Sequence, residues 1–261
     1  MFLDRPNARV FYEVEGESDA PLITLINGYS RSSKDFRLMA KFLTQNGLRV
    51  LRFDNRGAGQ TETTAAFTLD EMVGDVVSLW DHLEAAQSHV LGISYGGVIS
   101  ILLAHANPTR VKSLSLVSTT PSSFFLGLDN DLSSQTQEQV EQNIRKYFSE
   151  KFAERNPVLF KSMVKETSKV FMDPVSRARA AEQRAALKKF DFTALLHGLR
   201  MPTLILHGEA DNVATPEAAD VMARAIKHAE LELVPDTGHL FLAEAPTFFY
   251  ERVLRFLQAH S

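Results

Sequence analysis

Short apolar runs alternate with longer amphipathic stretches along most of this chain, and this alternation constrains the fold more than any other feature. Runs rich in leucine and β-branched residues predict seven strands, at 9–14, 21–26, 49–53, 89–93, 112–117, 203–207 and 230–234. Several of them are apolar on both faces, which is typical of central strands in a parallel sheet covered by helices. Helical patterns lie between them, at 34–45, 69–84, 96–105, 216–227 and 246–259. The alternation predicts an α/β fold with a mostly parallel central sheet flanked by helices.

The alternation stops between residues 121 and 199, where the sequence contains helical patterns and no convincing strand. A segment of this length between two strands is too long for a plain loop. We therefore predict two units. Residues 1–120 and 200–261 form the core domain, and residues 121–199 form a helical cap that covers the carboxyl edge of the sheet.

The overall composition is that of an ordinary globular protein, with 44% hydrophobic and 23% charged residues. The net charge of −4 favours neither a nucleic acid nor an anionic membrane surface as a partner. Residues 141–190 differ, because they hold 12 Lys and Arg but 6 Asp and Glu. Solvated, outward-facing helices are the favoured interpretation, and a patch that guides anionic substrates is the alternative. The oligomeric state stays open.

The chain contains no cysteine, which excludes disulfides, thiolate metal sites and cysteine nucleophiles. This composition is compatible with a reducing compartment. The first residues lack the basic and apolar regions of a secretory signal, and no apolar run approaches the roughly 18 residues of a membrane span. We expect a cytoplasmic protein without a membrane span.

The strongest local motif is HVLGISYGG, at residues 89–97. A predicted strand enters a G-x-S-x-G sequence centred on Ser94, and a helix rich in small residues follows, which is the context this motif requires. Gly92 and Gly96 relieve crowding at a turn that holds the serine in a strained conformation. The helix N-terminus also favours negative charge developing at the serine. We predict that Ser94 is a nucleophile at a nucleophile elbow, and a serine in a structural turn is the weaker alternative.

A serine hydroxyl needs a positioned base to become nucleophilic. His239 directly follows the last predicted strand and is the best candidate. His207 ends a predicted strand, and we expect a supporting role for it. Asp211 lies in the loop after that strand, where its carboxylate can accept the N–H of His239 and stabilise the imidazolium. Glu209 is the substitute candidate for the acid.

Two backbone N–H groups are needed to stabilise the oxyanion of an acyl-transfer reaction. The N–H of Tyr95, directly after the nucleophile, is the first candidate. The loop after strand 21–26 begins Asn27-Gly28-Tyr29, and we predict the N–H of Tyr29 as the second donor. The alternative is that Gly28 only permits the turn of this loop, which then supplies no oxyanion donor.

These motifs resemble the α/β-hydrolase superfamily over essentially the whole chain. The order Ser94, Asp211, His239 is the family's order, and DNRGAG at residues 54–59 looks like its D-x-R-G-x-G turn. The chain is most similar to small capped carboxylesterases, enol-lactonases and C–C bond hydrolases. Asn27 stands where the family usually has histidine, so the amide must replace the ring's hydrogen bonds. The family's dehalogenases and epoxide hydrolases carry an aspartate at the position of Ser94, which excludes their chemistry.

The resemblance and the predicted residues together imply a serine hydrolase that transfers an acyl group from a small ester, lactone or related carbonyl compound to water. No metal or organic cofactor is expected. A ligand sensor that uses the same residues with slow turnover and signals to a protein partner is one alternative, and a C–C bond hydrolase is another. Helical aromatic residues in a cap often only pack it against the core. Four cap residues are nevertheless candidates for the lining of an apolar substrate pocket, namely Phe124, Phe125, Phe148 and Met163.

Overall fold

A single sheet forms the centre of the computed structural model, which describes residues 1–125, 136–187 and 190–261. The described strands are β1 Phe2–Arg5, β2 Ala8–Glu15, β3 Leu22–Ile26, β4 Arg49–Phe53, β5 Glu62–Thr63, β6 Ser88–Ile93, β7 Val111–Val117, β8 Thr203–Gly208 and β9 Ala229–Val234. Their order is β1-β2-β4-β3-β6-β7-β8-β9, with β5 beside β2. The strands β3, β4 and β6 to β9 are parallel, whereas β1, β2 and β5 pair antiparallel at one end. The predicted mostly parallel sheet is confirmed.

All seven predicted strands are present, and β1 and β5 are additional. Both pair with β2 at the antiparallel end of the sheet. The residues of β1 alternate between exposed and half-buried, and β5 has two residues. Neither strand therefore needs the apolar run by which a buried strand is identified in a sequence.

Helices cover both faces of the sheet, because successive residues of its strands are buried on opposite sides. These helices are α1 Arg37–Gln45, α2 Leu69–His82, α3 Tyr95–Ala106, α8 Pro216–Ala225 and α10 Pro246–Ala259. In β6, Val90 packs into the apolar cluster under α2, α3 and α8, whereas Leu91 packs into the cluster under α1 and α10. The short helix α9 spans Phe241–Glu244. All five helices predicted for the core are present.

In the described residues, four α-helices lie between β7 and β8, and we call them the helical insertion. They are α4 Gln137–Arg145, α5 Glu150–Arg155, α6 Pro157–Met172 and α7 Pro174–Ala186. The insertion has its own apolar cluster, in which Phe148 stacks on Phe152 and meets Phe160 edge-on. Residues 126–135 and 188–189 of the predicted cap lie outside the described residues. Among the helices that are described, none combines the length and the apolar character that crossing a bilayer requires.

Candidate active site

Ser94 lies at the sharp turn between β6 and α3. Its backbone has φ 53° and ψ −118°, a conformation that non-glycine residues rarely adopt. A Cβ at Gly92 would overlap the backbone of Gly96, and a Cβ at Gly96 would overlap the carbonyl group of Ile26. Both positions therefore require glycine, and the turn they permit lifts Ser94 out of the sheet at the start of a helix.

The structure brings Ser94, His239 and Asp211 together in one line of hydrogen bonds. His239 follows β9, and its Nε2 lies 2.9 Å from the Oγ of Ser94. Its Nδ1 lies 2.8 Å from Oδ2 of Asp211, in the loop after β8. Asp211 and His239 are both buried. Because β6, β8 and β9 are parallel members of one sheet, their carboxyl ends place the three side chains at the same edge.

The carboxylate of Asp211 is held by several donors. Its Oδ1 accepts the backbone N–H groups of Val213 at 2.8 Å and of Ala214 at 3.0 Å. Burial by itself would raise the pKa of Asp211. The charge of protonated His239 and the hydrogen bonds from His207 and His239 outweigh burial and hold this pKa well below its ordinary value. Asp211 is therefore an ionised acceptor that can orient the imidazole of His239.

His207 is buried against the same carboxylate. Its Nε2 donates to the carbonyl oxygen of Ala214 at 2.7 Å and lies 3.4 Å from Oδ2 of Asp211. His207 thus contacts the predicted acid, and its supporting role stays a prediction. Its signal in the sequence is a strand-ending histidine four residues before the predicted acid. Glu209, the substitute candidate, is exposed to solvent, whereas Nδ1 of His239 bonds to Asp211.

The loop after β3 lies against Ser94. A Cβ at Gly28 would be 3.5 Å from the Cβ of Ser94. The side chain of Asn27 holds this loop, because its Oδ1 accepts the N–H of Gly28 at 2.8 Å and its Nδ2 donates to the carbonyl oxygen of Ser32 at 2.7 Å. The amide thus makes structural hydrogen bonds of the kind we expect in place of histidine. Tyr29 and Tyr95, whose N–H groups are the predicted oxyanion donors, both line the cavity next to Ser94.

A cavity of about 880 Å³ opens at Ser94 and His239. Apolar residues from the core and the insertion form most of its lining, including Ile93, Val98, Ile144, Met163, Phe171, Leu187, Phe190, Val213 and Leu240. Its polar lining includes Ser118, Thr119, Thr120, Tyr147 and Thr167, and the charged residues that line it in the described part of the chain are Arg31, Asp35 and Arg184. Arg31 forms a bidentate ion pair with Asp35, with N···O distances of 2.7 and 2.9 Å. The site thus combines a largely apolar space with a few polar groups, as small-molecule sites do.

The four residues predicted for the pocket have different positions. Met163 lines the cavity, whereas Phe148 is buried inside the insertion and does not. The prediction for Phe124 is wrong, because its side chain is 85% exposed on a short 3₁₀ turn. The side chain of Phe125 lies outside the described residues. Tyr147 lines the cavity but has no local sequence signal, since it sits in the connection between α4 and α5.

Comparison with known proteins shows the family to which this chain belongs. Residues 21–246 match the family model described as the alpha/beta hydrolase fold. This chain belongs to the α/β-hydrolase family. The structure is similar to the solved enol-lactonase from Burkholderia xenovorans, with a TM-score of 0.85 at 24% sequence identity. The match covers 99% of this chain and 100% of that one. An α/β-hydrolase from a Medee basin deep-sea metagenome library has a TM-score of 0.89 at 22% identity, with coverage of 99% and 97%.

Two curated relatives are similar to this chain along nearly their full length. The 3-oxoadipate enol-lactonase 1 of Acinetobacter baylyi is 26% identical, with 96% of this chain and 94% of that protein covered. The pimeloyl-[acyl-carrier protein] methyl ester esterase of Nitrosospira multiformis is 28% identical, with 93% and 97% covered.

Proposed function

We propose that this α/β-hydrolase is a serine hydrolase that cleaves a small ester or lactone through an acyl-enzyme on Ser94. The observation that carries the proposal is the line of hydrogen bonds from Ser94 through His239 to Asp211, at 2.9 and 2.8 Å, beside a largely apolar cavity. Two curated relatives carry the names of an enol-lactonase and a methyl ester esterase, and both names describe enzymes that act on an ester bond. This supports ester hydrolysis as the reaction class of the present chain.

The proposed reaction has two stages. Oγ of Ser94 attacks the substrate carbonyl while Nε2 of His239 takes its proton, and Asp211 stabilises the imidazolium that forms. The N–H groups of Tyr29 and Tyr95 stabilise the oxyanion of the tetrahedral intermediate. His239 returns the proton to the leaving alcohol, and a water molecule then releases the acyl group by the same route.

The proposed substrate is small. Residues 121–199 would act as a cap over the core formed by residues 1–120 and 200–261, since Met163 and Phe171 of helix α6 line the cavity together with Ser94. Each methylene group that fits an apolar site contributes about 0.8 kcal/mol. We therefore expect activity to increase along a short acyl series and to fall where the cavity ends, with roughly two to eight acyl carbons preferred. Long-chain triglyceride emulsions should be poor substrates.

Partition of the acyl group between water and methanol tests the acyl-enzyme. Esters that share one acyl group but differ in alcohol are hydrolysed in the presence of methanol, and methyl ester and free acid are measured. A common acyl-enzyme predicts the same product ratio for every alcohol. Ratios that change with the leaving group would contradict an intermediate on Ser94. Turnover should also lie in the usual enzyme range of about 1 per second or more, whereas about one per minute would favour a ligand sensor.

A further inference from the structure

We propose that the side-chain hydroxyl of Tyr147 is a substrate-binding group that donates a hydrogen bond to an acceptor oxygen in the alcohol part of the substrate. This inference rests on the proposed ester hydrolysis and adds a specificity determinant to the same site. It predicts a substrate class, namely esters or lactones whose leaving group carries an ether, keto or hydroxyl oxygen.

The backbone of Tyr147 is bound to the loop that carries the catalytic base. Its carbonyl oxygen accepts the N–H of His239 at 2.9 Å and the N–H of Leu240 at 3.1 Å. Two residues further on, the backbone N–H and the Oγ of Ser149 donate to the carboxylate of Glu244, the last residue of α9, which directly follows this loop. The connection between α4 and α5 is therefore held against the histidine loop, which sets the position of Tyr147 relative to His239.

The ring of Tyr147 packs directly on the ring of His239. The two ring centroids are 5.5 Å apart, and the planes meet at 75° in an edge-on arrangement. Tyr147 also lines the cavity that opens at Ser94. The side chain of Tyr147 therefore forms part of the cavity wall beside His239.

The hydroxyl of Tyr147 differs from those of the other tyrosines around the cavity. The hydroxyl of Tyr29 donates to the carbonyl oxygen of Ala180 at 2.9 Å, and that of Tyr95 donates to the carbonyl oxygen of Gln183 at 3.4 Å. Within the described part of the chain, the hydroxyl of Tyr147 has no hydrogen-bond partner. Tyr147 is partly exposed and lines the cavity, so its hydroxyl is available to donate a hydrogen bond to an acceptor on a bound substrate.

The phenol of Tyr147 acts as a neutral donor. Burial is the main reason that its pKa is raised to about 12, the charges of Tyr29 and Asp211 act in the same direction, and Arg184 opposes them. The group therefore retains its proton at any pH at which the enzyme would work, and a neutral acceptor oxygen is the matching ligand atom.

The chemistry of His239 assigns Tyr147 to the leaving-group side. The base takes the proton from Ser94 and must return it to the leaving oxygen from the same Nε2, so the alcohol departs beside His239. In the described residues, Tyr147 is the aromatic side chain in ring contact with His239. An oxygen in the alcohol part would thus pass near the Tyr147 hydroxyl, whereas the acyl part remains on Ser94.

Tyr147→Phe tests this assignment, because it removes the hydroxyl and keeps both the ring and the backbone carbonyl. The first substrate pair is 2-methoxyethyl butanoate and butyl butanoate. In butyl butanoate a methylene group replaces the ether oxygen of the methoxyethyl ester. We expect the variant to lose about threefold to tenfold in kcat/KM on the methoxyethyl ester, the effect of one hydrogen bond. The ratio of kcat/KM for the methoxyethyl ester to that for the butyl ester should therefore fall by this factor.

The second pair carries the oxygen on the acyl side, as butyl 3-methoxypropanoate and butyl pentanoate. The variant should leave the ratio of their kcat/KM values unchanged. Equal losses on all four esters, no loss on any of them, or a selective loss on the acyl-side ether would each overturn the proposal. A wild-type protein that hydrolyses none of the four esters would contradict the proposed function itself, and the Tyr147 proposal would fall with it. Thermal unfolding of both proteins checks that the variant is folded.

Discussion

The side-chain hydroxyl of Thr119 donates a 2.6 Å hydrogen bond to the main-chain carbonyl oxygen of Ser94. The two residues follow neighbouring parallel strands, since Ser94 comes directly after β6 and Thr119 lies two residues after β7. The same threonine side chain occupies the space that a Cβ at Gly97 would need. The strained backbone at Ser94, with φ 53°, is therefore held from the adjacent strand as well as by its own helix.

Thr119→Val should reduce both stability and turnover. Valine keeps the shape of threonine but cannot donate, so the carbonyl oxygen of Ser94 loses one hydrogen bond, at a cost of about 1 kcal/mol. The less constrained turn should lower kcat severalfold. Urea unfolding and ester hydrolysis measure the two effects, and Thr119→Ser, which keeps the hydroxyl, is the control. A valine variant equal to wild type in both assays would contradict this role of Thr119.

Asp211→Asn should lower kcat by about three to four orders of magnitude while substrate binding changes little. The amide favours the wrong tautomer of His239 and cannot stabilise the imidazolium. Glu209→Gln is the matched control, because that carboxylate is nearby in sequence but exposed, and it should retain near wild-type activity. Steady-state kinetics with one short ester compares the two variants. Equal losses would mean that Asp211 is not the acid.

Buried His89 should make the protein less stable in mild acid. Burial, with smaller effects from the charges of Lys112 and His260, lowers the pKa of His89 from 6.5 to about 4. The unfolded chain therefore binds a proton that the folded protein does not bind between these pH values, and stability is lost as the pH falls through this window. The expected loss from pH 7 to pH 5 is about 2 kcal/mol.

Urea unfolding of wild type and His89→Asn at both pH values isolates this effect. Asparagine does not titrate and can still bond to Ser113, whose Oγ lies 2.7 Å from Nδ1 of His89. The variant should lose about 2 kcal/mol less than wild type between pH 7 and pH 5. An identical loss in the two proteins would show that His89 is not the group responsible.

The sequence predicts the central sheet well because burial on both faces leaves a strong pattern. In β3 every residue is buried, and the same is true of β6 and β8, so each strand appears as a mainly apolar run with turn residues around it. The edge strand β1 is partly exposed along its whole length. Its position depends on pairing with β2, which a local pattern does not reveal.

The candidate site likewise contains residues that the sequence predicts and residues that only the structure identifies. Ser94, Asp211 and His239 each follow a predicted strand within a recognisable motif, and the parallel order of the sheet brings them together. Thr119 and Tyr147 carry no such motif, because their contacts with Ser94 and His239 arise only when separate elements pack. Phe124 is the opposite case, since an aromatic residue near the start of the predicted cap is 85% exposed.

Mass spectrometry after reaction with a fluorophosphonate tests the central claim most directly, because this reagent phosphonylates an activated serine. Wild-type protein should gain one adduct, located on Ser94, with loss of ester hydrolysis in proportion to labelling. Ser94→Ala should neither be labelled nor retain more than about one-thousandth of the wild-type kcat. An adduct on another residue, or unchanged turnover in the alanine variant, would contradict the assignment of Ser94 as the nucleophile.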